Sequence, residues 1–363
     1  MTLKPKTPLQ HYRRVDDTEN LRPLSERVIA PTTLPLPTSA HELTWRALRP
    51  EDFPALLEFE CAVDAVDDPG SHTGLDDLQE RWESSGFDPG VDSMIALTPE
   101  GRVVAYGEAF LEASGETMAT VHLNGRVHPA WRRQGIGTAL LRWQEGRGVQ
   151  QLASCDDRLP GMLSTLVGEH ADGQRALFEA EGFSPVRWWH EMEFLLGGTL
   201  PQTSLGAGLK IEPYTSSCSE QARETINEAF RDHWGSQPTS REEWDDARAS
   251  EDFRADWSAV AIATLADGTT DLVGAITVES DEDEWEAHGY SFGNVDELAV
   301  KREWRGRGIA RALLAQSLRA MRDSGVERAT LDVDGDSPTG ADALYARLGF
   351  VETERSATYA KTY

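Results

Sequence analysis

Cysteine is scarce in this chain, with three in 363 residues, Cys61, Cys155 and Cys218. They lie far apart, without a CxxC pair or a Cys/His spacing, so neither a disulfide framework nor a metal site is expected. Positive charge is scarce as well. Lys and Arg number 35 against 62 Asp and Glu, a formal net charge of −27. So acidic a chain repels phosphate backbones and anionic membrane surfaces, which argues against nucleic acid or a membrane as partner. No run of about eighteen apolar residues occurs, and the opening MTLKPKTPLQHYRRVDD has no apolar stretch of the signal-peptide kind. A protein of the reducing cytoplasm is the expectation.

What is present is length and apolar content, 363 residues of which 39% are hydrophobic, enough for two domains. Residues 1–42 contain Pro5, Pro8, Pro23, Pro31, Pro35 and Pro37 and no sustained apolar period, and read as a Pro-rich arm, either disordered or packed across a surface. From Leu43 the pattern turns globular. LTWRAL alternates like a strand, Asp52 can cap a helix, and Phe53 to Phe59 have apolar residues at helical spacing. The segment 197–208, GGTLPQTSLGAG, breaks the pattern and reads as a linker, after which LKIEPY restarts as a strand.

Two segments repeat, VHPAWRRQGIGTALL from Val127 and VKREWRGRGIARALL from Val300, without a gap and at one offset of 173. LFEAEGF ending at Phe183 echoes LYARLGF ending at Phe350, at an offset of 167. The chain after the arm is therefore a duplication, with copies over 43–196 and 209–363. The second copy reads as a strand at Leu209, helices through Phe230 and around Trp244, and strands over 259–265, 271–278 and 294–300. A helix over 308–324, a strand over 329–333, a helix over 341–348 and strands near Val351 and Tyr359 complete a mixed α/β layer fold.

Glycines between a strand and a helix have a physical use. In Arg305-Gly306-Arg307-Gly308-Ile309-Ala310 they let the backbone approach a ligand and aim successive N–H groups outward, and the following helix adds free amides and a positive dipole end. Such a junction favours a phosphate or pyrophosphate. With the duplication and the downstream Leu-Tyr…Gly-Phe, the sequence closely resembles the Gcn5-related N-acetyltransferase (GNAT) family, whose defining segment is Arg/Gln-x-x-Gly-x-Gly/Ala. Arg305, Gly308 and Ala310 fit it in the second copy, and Arg132, Gly135 and Gly137 fit it in the first.

The resemblance implies two tandem GNAT folds, each a splayed, mostly antiparallel sheet flanked by helices. It implies that acetyl-CoA is the co-substrate, its pyrophosphate on this loop and its pantetheine arm beside Leu298, Ala299 and Val300. The matching first-copy loop is Arg132-Arg133-Gln134-Gly135-Ile136-Gly137. Among two-copy members the chain is most similar to the mycothiol synthase-like enzymes, at SPTGADALYARLGF. Where relatives commonly have Asn before Pro-Thr-Gly-Ala, this chain has Ser337.

Acyl transfer to an amine requires a free amine, a stabilised tetrahedral oxyanion and a protonated thiolate leaving group. By the resemblance Tyr345 protonates the sulfur, Glu297 takes the ammonium proton, and a backbone N–H near Leu298 or Ala299 holds the oxyanion. The offsets map Glu297 to Asn124 and Tyr345 to Phe178, neither of which can transfer a proton at neutral pH. The first copy is then expected to be non-catalytic, binding CoA or keeping only the shape of a site.

The run Asp281-Glu282-Asp283-Glu284 reads as a solvated acidic loop or as a wall for a cationic acceptor. Trp188-Trp189 reads as core or interdomain packing, with stacking on a ligand as the alternative, and His122, His128, His233 and His288 show no ligand spacing. The leading reading is acetyl transfer from acetyl-CoA to a primary amine of a small molecule, such as a cationic metabolite, an antibiotic or an amino-sugar conjugate. A longer acyl-CoA or carrier-protein thioester as donor, and a peptide amine as acceptor, are alternatives. A non-catalytic acyl-CoA-binding regulator is a further one, against which the retention of Glu297 and Tyr345 argues.

Overall fold

The computed structural model describes residues 21–67, 74–83, 87–112, 117–231, 233, 236–336 and 340–363, so Ser337 lies outside the described residues. The chain forms two compact units. One runs to Arg187 and takes in Ala357–Tyr363; the other runs from Trp188 to Ser356.

The first unit has α1 (Leu24–Arg27), β1 (Thr44–Arg46), α2 (Phe53–Asp67), α3 (Leu75–Glu83), α4 (Pro89–Asp92), β2 (Ser93–Leu97), β3 (Val103–Leu111), β4 (Ala119–Val127), α5 (Ile136–Ala153), β5 (Gly161–Gly168) and α6 (Asp172–Ala180). β1 to β4 pair antiparallel in sequence order. β5 joins β4 in parallel over Ala119–His122 only, after which the two strands part. One face of the sheet packs Phe53, Leu56, Phe59 and Val63 of α2, and the other packs Ile136, Leu140 and Trp143 of α5.

The described part of the arm is packed, not loose. Leu24 is fully buried, its N–H donates to Asp157 O, and the Ser25 N–H donates to Cys155 O. Gly161 makes room for it, since a Cβ there would lie 2.8 Å from Leu24 Cδ2.

The second unit repeats the plan with β7 (Leu209–Pro213), α7 (Ser219–Phe230), α8 (Arg241–Ala249), β8 (Ala259–Thr264), β9 (Thr270–Glu279), α9 (Glu284–His288), β10 (Phe292–Val300), α10 (Ile309–Asp323), β11 (Arg328–Asp334) and α11 (Ala341–Leu348). β7, β8, β9 and β10 pair antiparallel in that order. β11 runs parallel to β10 only from Phe292 to Asn294. α10 and α11 cover one face and α7 and α8 the other. Gly274 lets α10 come close, because a Cβ there would meet Ile309 and Leu313 side chains at 3.2 Å and Ala299 O at 2.9 Å. Part of the acidic run is helical, as α9 begins at Glu284.

The last strands of the copies, β6 (Ser184–Leu195) and β12 (Val351–Thr362), do not follow the sequence division. A strand belongs to the edge that pairs with it. Trp189 to Leu195 pair with β11, inside the second unit. The Tyr363 N–H donates to Gly161 O (2.8 Å) and the Gly161 N–H to Tyr363 O (3.2 Å), inside the first. Each unit is therefore built partly from the other copy. The two strands expected near Val351 and Tyr359 are one continuous strand, since nothing between Val351 and Thr362 is Gly or Pro to break it.

Candidate active site

The strand-to-helix turn of the second unit has the conformation its glycines allow. Gly306 and Gly308 take φ of 75° and 79°, left-handed values that side-chain-bearing residues avoid. Gly308 caps α10, whose first intrahelical bond runs from the Ala312 N–H to Gly308 O (3.0 Å). The amides of Ile309, Ala310 and Arg311 precede that bond and have no carbonyl one turn behind them. Nothing lies within 4 Å of where a Cβ would sit on Gly306, and on Gly308 only Ser204 O comes near, at 3.9 Å. An open face of free amides at a helix start fits a pyrophosphate.

The arginines of the segment do something else. Arg305 donates from Nε to Val300 O (3.2 Å) and from Nη2 to Ala229 O (2.8 Å), bracing the loop against the ends of β10 and α7. Arg307 lies over the Trp304 ring, 4.5 Å from its centroid. The free amides, more than these side chains, form the cradle.

β10 carries the decisive irregularity. Its register against β9 runs Asn294↔Glu279 and Val295↔Val278, then Glu297↔Thr277 through Val300↔Gly274, so Asp296 is one residue too many. A bulge of one residue reverses which face the following side chains occupy. Val295 points into the core beneath α10; beyond the bulge Leu298 and Val300 do so, and Ala299 joins the opposite cluster beneath α7. Glu297 is thereby placed on the α7/α8 face. Beyond Asn294, β11 has left that edge of β10, so backbone groups around Leu298 to Val300 border an opening, as an added strand-like ligand requires.

Glu297 sits in a dense polar cluster. Thr277 Oγ1 donates to Asp296 Oδ2 (3.2 Å) and Glu297 Oε2 (3.3 Å). Arg248 Nη2 lies 3.2 Å from Asp296 Oδ2 and 3.6 Å from Glu297 Oε2. Burial first, then the neighbouring Asp296 charge, push the Glu297 carboxyl up to about 7, against the pull of Arg248 and Thr277. Its side chain keeps 22% exposure, enough for a water or substrate to reach it.

Tyr345, on α11, is buried against Phe350, with ring centroids 5.7 Å apart. Burial raises its phenol to about 12, so it stays protonated at neutral pH. Arg248, Asp296, Thr277 and Glu279 were not singled out from sequence. The one available signal was Trp244 four residues before Arg248, a spacing that places both on one helix face.

The first unit offers the same cradle with a different strand. Gly135 (φ 81°) caps α5, and Arg133, at the position of Gly306, is the one described non-glycine residue with a positive φ, 62°. Arg132 again braces the loop, through Val127 O (2.9 Å) and Asp67 (2.6 and 2.7 Å). β4, however, has no bulge, and its register to β3 is unbroken from Val127 to Val121.

The pairing thus relates Asn124 to Glu297 at an offset of 173 but Leu123 to Val295 at 172, the difference being the added Asp296. Asn124 Nδ2 donates to Glu108 Oε1 (3.0 Å), whose other oxygen accepts from Tyr106 OH (2.7 Å). Gln144 Nε2 reaches from α5 to Glu108 O (2.9 Å) and Asn124 O (2.6 Å). Phe178, opposite number of Tyr345, packs on Phe183 at 5.3 Å.

Comparison with known proteins agrees with this geometry. The acetyltransferase (GNAT) family matches residues 220–350. A mycothiol acetyltransferase of Kytococcus sedentarius is 30% identical over 78% of this chain and 91% of its own. A GCN5-related N-acetyltransferase of Sphaerobacter thermophilus superposes with a TM-score of 0.69 at 25% identity, over 90% of this chain and 97% of its own. A tandem GNAT protein from the clavulanic acid biosynthesis pathway superposes with a TM-score of 0.64 at 19% identity, over 88% of this chain and 98% of its own, a likeness of fold.

Proposed function

Because this chain belongs to the GNAT family of acetyltransferases, we propose that its second copy moves an acetyl group from acetyl-CoA to the primary amine of a small molecule. The observation that carries this reading is the bulge at Asp296, which brings a half-buried carboxylate to the edge of the strand leading into an open amide cradle.

In this reading the pyrophosphate of CoA rests on the amides from Gly306 to Ala310, and its pantetheine arm lies along Leu298 to Val300. The acceptor arrives as an ammonium ion. Glu297, titrating near neutrality, takes one proton from it. The amine's lone pair then attacks the thioester carbonyl, and a backbone N–H near Leu298 or Ala299 receives the oxyanion. When the tetrahedral intermediate collapses, the C–S bond breaks, Tyr345 donates its proton to the departing thiolate, and the nitrogen releases its second proton to solvent to leave a neutral amide. Tyr345 regains a proton from solvent, and Glu297 loses one to it.

The carboxylates Glu279, Asp296 and Glu297 around one guanidinium favour a cationic acceptor. Mycothiol acetyltransferases among the relatives make the acceptor of that reaction the first amine to try. The first copy, lacking both proton-transfer groups, is assigned a non-catalytic role.

The test is incubation with acetyl-CoA, longer acyl-CoAs and an amine panel, followed by mass spectrometry. An N-acetylated amine formed by the native protein and lost in Glu297→Gln is expected. Acylation of no amine, with CoA bound normally, would leave an acyl-CoA-binding protein instead.

A further inference from the structure

Arg248 has a chemistry that the acetyl-transfer reading does not use. It is the eighth residue of α8, a helix with Ser240 as its N-cap, whose hydroxyl accepts the Glu243 N–H at 3.2 Å. Its guanidinium carbon lies 4.2 Å from the Trp244 ring centroid and 4.5 Å from that of Phe253. Two aromatic faces hold a planar cation in one orientation.

The side chain is 90% buried, with 10% exposure, yet Nε and Nη1 have no hydrogen-bond partner. Nη1 has only the longer ion pair to Glu279, at 3.7 Å. A buried guanidinium left with unmade bonds is costly, and a cation placed for stability alone would be better satisfied. Its one hydrogen bond goes to Asp296, the bulged residue itself.

We propose that Arg248 is a positioning residue for acyl transfer: clamped between two rings, it fixes the bulge through Asp296 and holds the Glu297 carboxylate in place to accept a proton. The proposal rests on the reading of Glu297 as the base. The groups that face this carboxylate from the packed elements are Thr277 and Glu279 on β9, Asp296 on β10 and Arg248 on α8. Asp252 acts on Glu279 from beyond α8, and Tyr214 borders Arg248 at the end of β7.

Of these, only Arg248 is cationic. Without it three carboxylates face one another, and the proton on Glu297 is held more tightly. Acid protonation of the base would then extend to higher pH.

The experiment is ¹³C NMR of the full chain labelled at the glutamate carboxyl carbons, with the Glu297 signal assigned by its loss in Glu297→Gln. It requires no acceptor. Arg248→Met is expected to raise the titration midpoint of Glu297 by about one pH unit or more, and Arg248→Lys by less. Acetyl-CoA affinity by calorimetry is expected to stay unchanged in both. If Arg248→Met does not fold, Arg248→Lys alone carries the test through its smaller upward shift.

An unmoved midpoint in a folded Arg248 variant overturns the positioning role and leaves a structural arginine. The reading of Glu297 as base fails separately. If Glu297→Gln transfers acetyl to the identified amine at the native rate, that reading falls, whatever Arg248 does to the midpoint.

Discussion

In the first copy β4 runs straight into its glycine turn, Asn124 is tied to Glu108, and Gln144 occupies the carbonyls of both residues. In the second copy the corresponding strand has one residue, Asp296, bulged out of register, and the carboxylate beyond it stands on the face of α7 and α8 beside a guanidinium. The cradles hardly differ, with caps Gly135 and Gly308 at φ of 81° and 79°. On the proposed reading, the ligand-facing backbone and the proton-transfer side chains are separable. A backbone cradle survives substitution of nearly every side chain in it, whereas a base depends on one residue and on the phase of one strand.

The largest test of this division is to block one cradle at a time. Gly308→Glu adds a side chain where φ is left-handed, and a negative charge at the proposed pyrophosphate site. CoA binding at the second copy and all turnover are expected to vanish, with melting temperature and circular dichroism reporting that the fold persists. Unchanged CoA affinity by calorimetry would remove the cradle assignment.

Glu297→Gln comes next. It keeps the shape but cannot take a proton, and turnover near neutral pH is expected to fall roughly 10²-fold to 10⁴-fold. The sign of the pH effect follows from the raised pKa. The base works when deprotonated, so native activity declines as pH falls through about 7, while the variant lacks that limb and recovers as rising pH frees the amine. A variant profile with the same acidic limb would transfer the base role elsewhere.

Tyr345→Phe is expected to cost less, about 10-fold, because CoA thiolate is a fair leaving group. Alkaline solvent cannot replace an acid, so no rescue at high pH is expected. Stopped-time assays across pH distinguish the two variants, and a recovery of Tyr345→Phe at high pH would contradict the proton-donor role.

The smallest effect is expected for Gly135→Glu, which leaves most turnover in place. If it abolishes turnover while the second copy still binds CoA, the first copy contributes to catalysis and the two copies share the reaction.

The sequence pattern was enough for the order of elements in the second copy apart from α9, which read as a loop, and the final strand, which read as two. Short, nearly continuous apolar runs mark β8 and β9, and apolar spacing marks α10, whose observed limits of Ile309 and Asp323 fall one residue inside the expected ones. The duplication was legible because its longest match, from Val127 and Val300, begins just after the bulge. That same fact concealed the bulge. In Phe292–Val300, FGNVDELAV, two adjacent acidic residues allow either phase, and only pairing with β9 decides between them.

Arg305 illustrates a different limit. It belongs to the proposed phosphate loop, but its hydrogen bonds go to the carbonyls of residues 300 and 229, and the second of these is distant in sequence. Arg248 was lost in an acidic helix, REEWDDARA, because its meaning comes from β9 and β10. The exchange of final strands was hidden as well, since strand composition states which segments pair but not with which edge.

That exchange has a consequence for how the chain is made. The ribosome delivers residues 43–187 early, yet the segment that closes that sheet, Ala357–Tyr363, emerges only after the whole second copy. Until then the edge of β5 at Gly161 awaits its partner, and an open strand edge invites pairing with other chains. The contact between Gly161 and Tyr363 spans about two hundred residues, a separation of the kind that slows folding. A nascent chain stalled before Ala357 would therefore hold a complete set of elements for its first repeat and still lack a finished sheet.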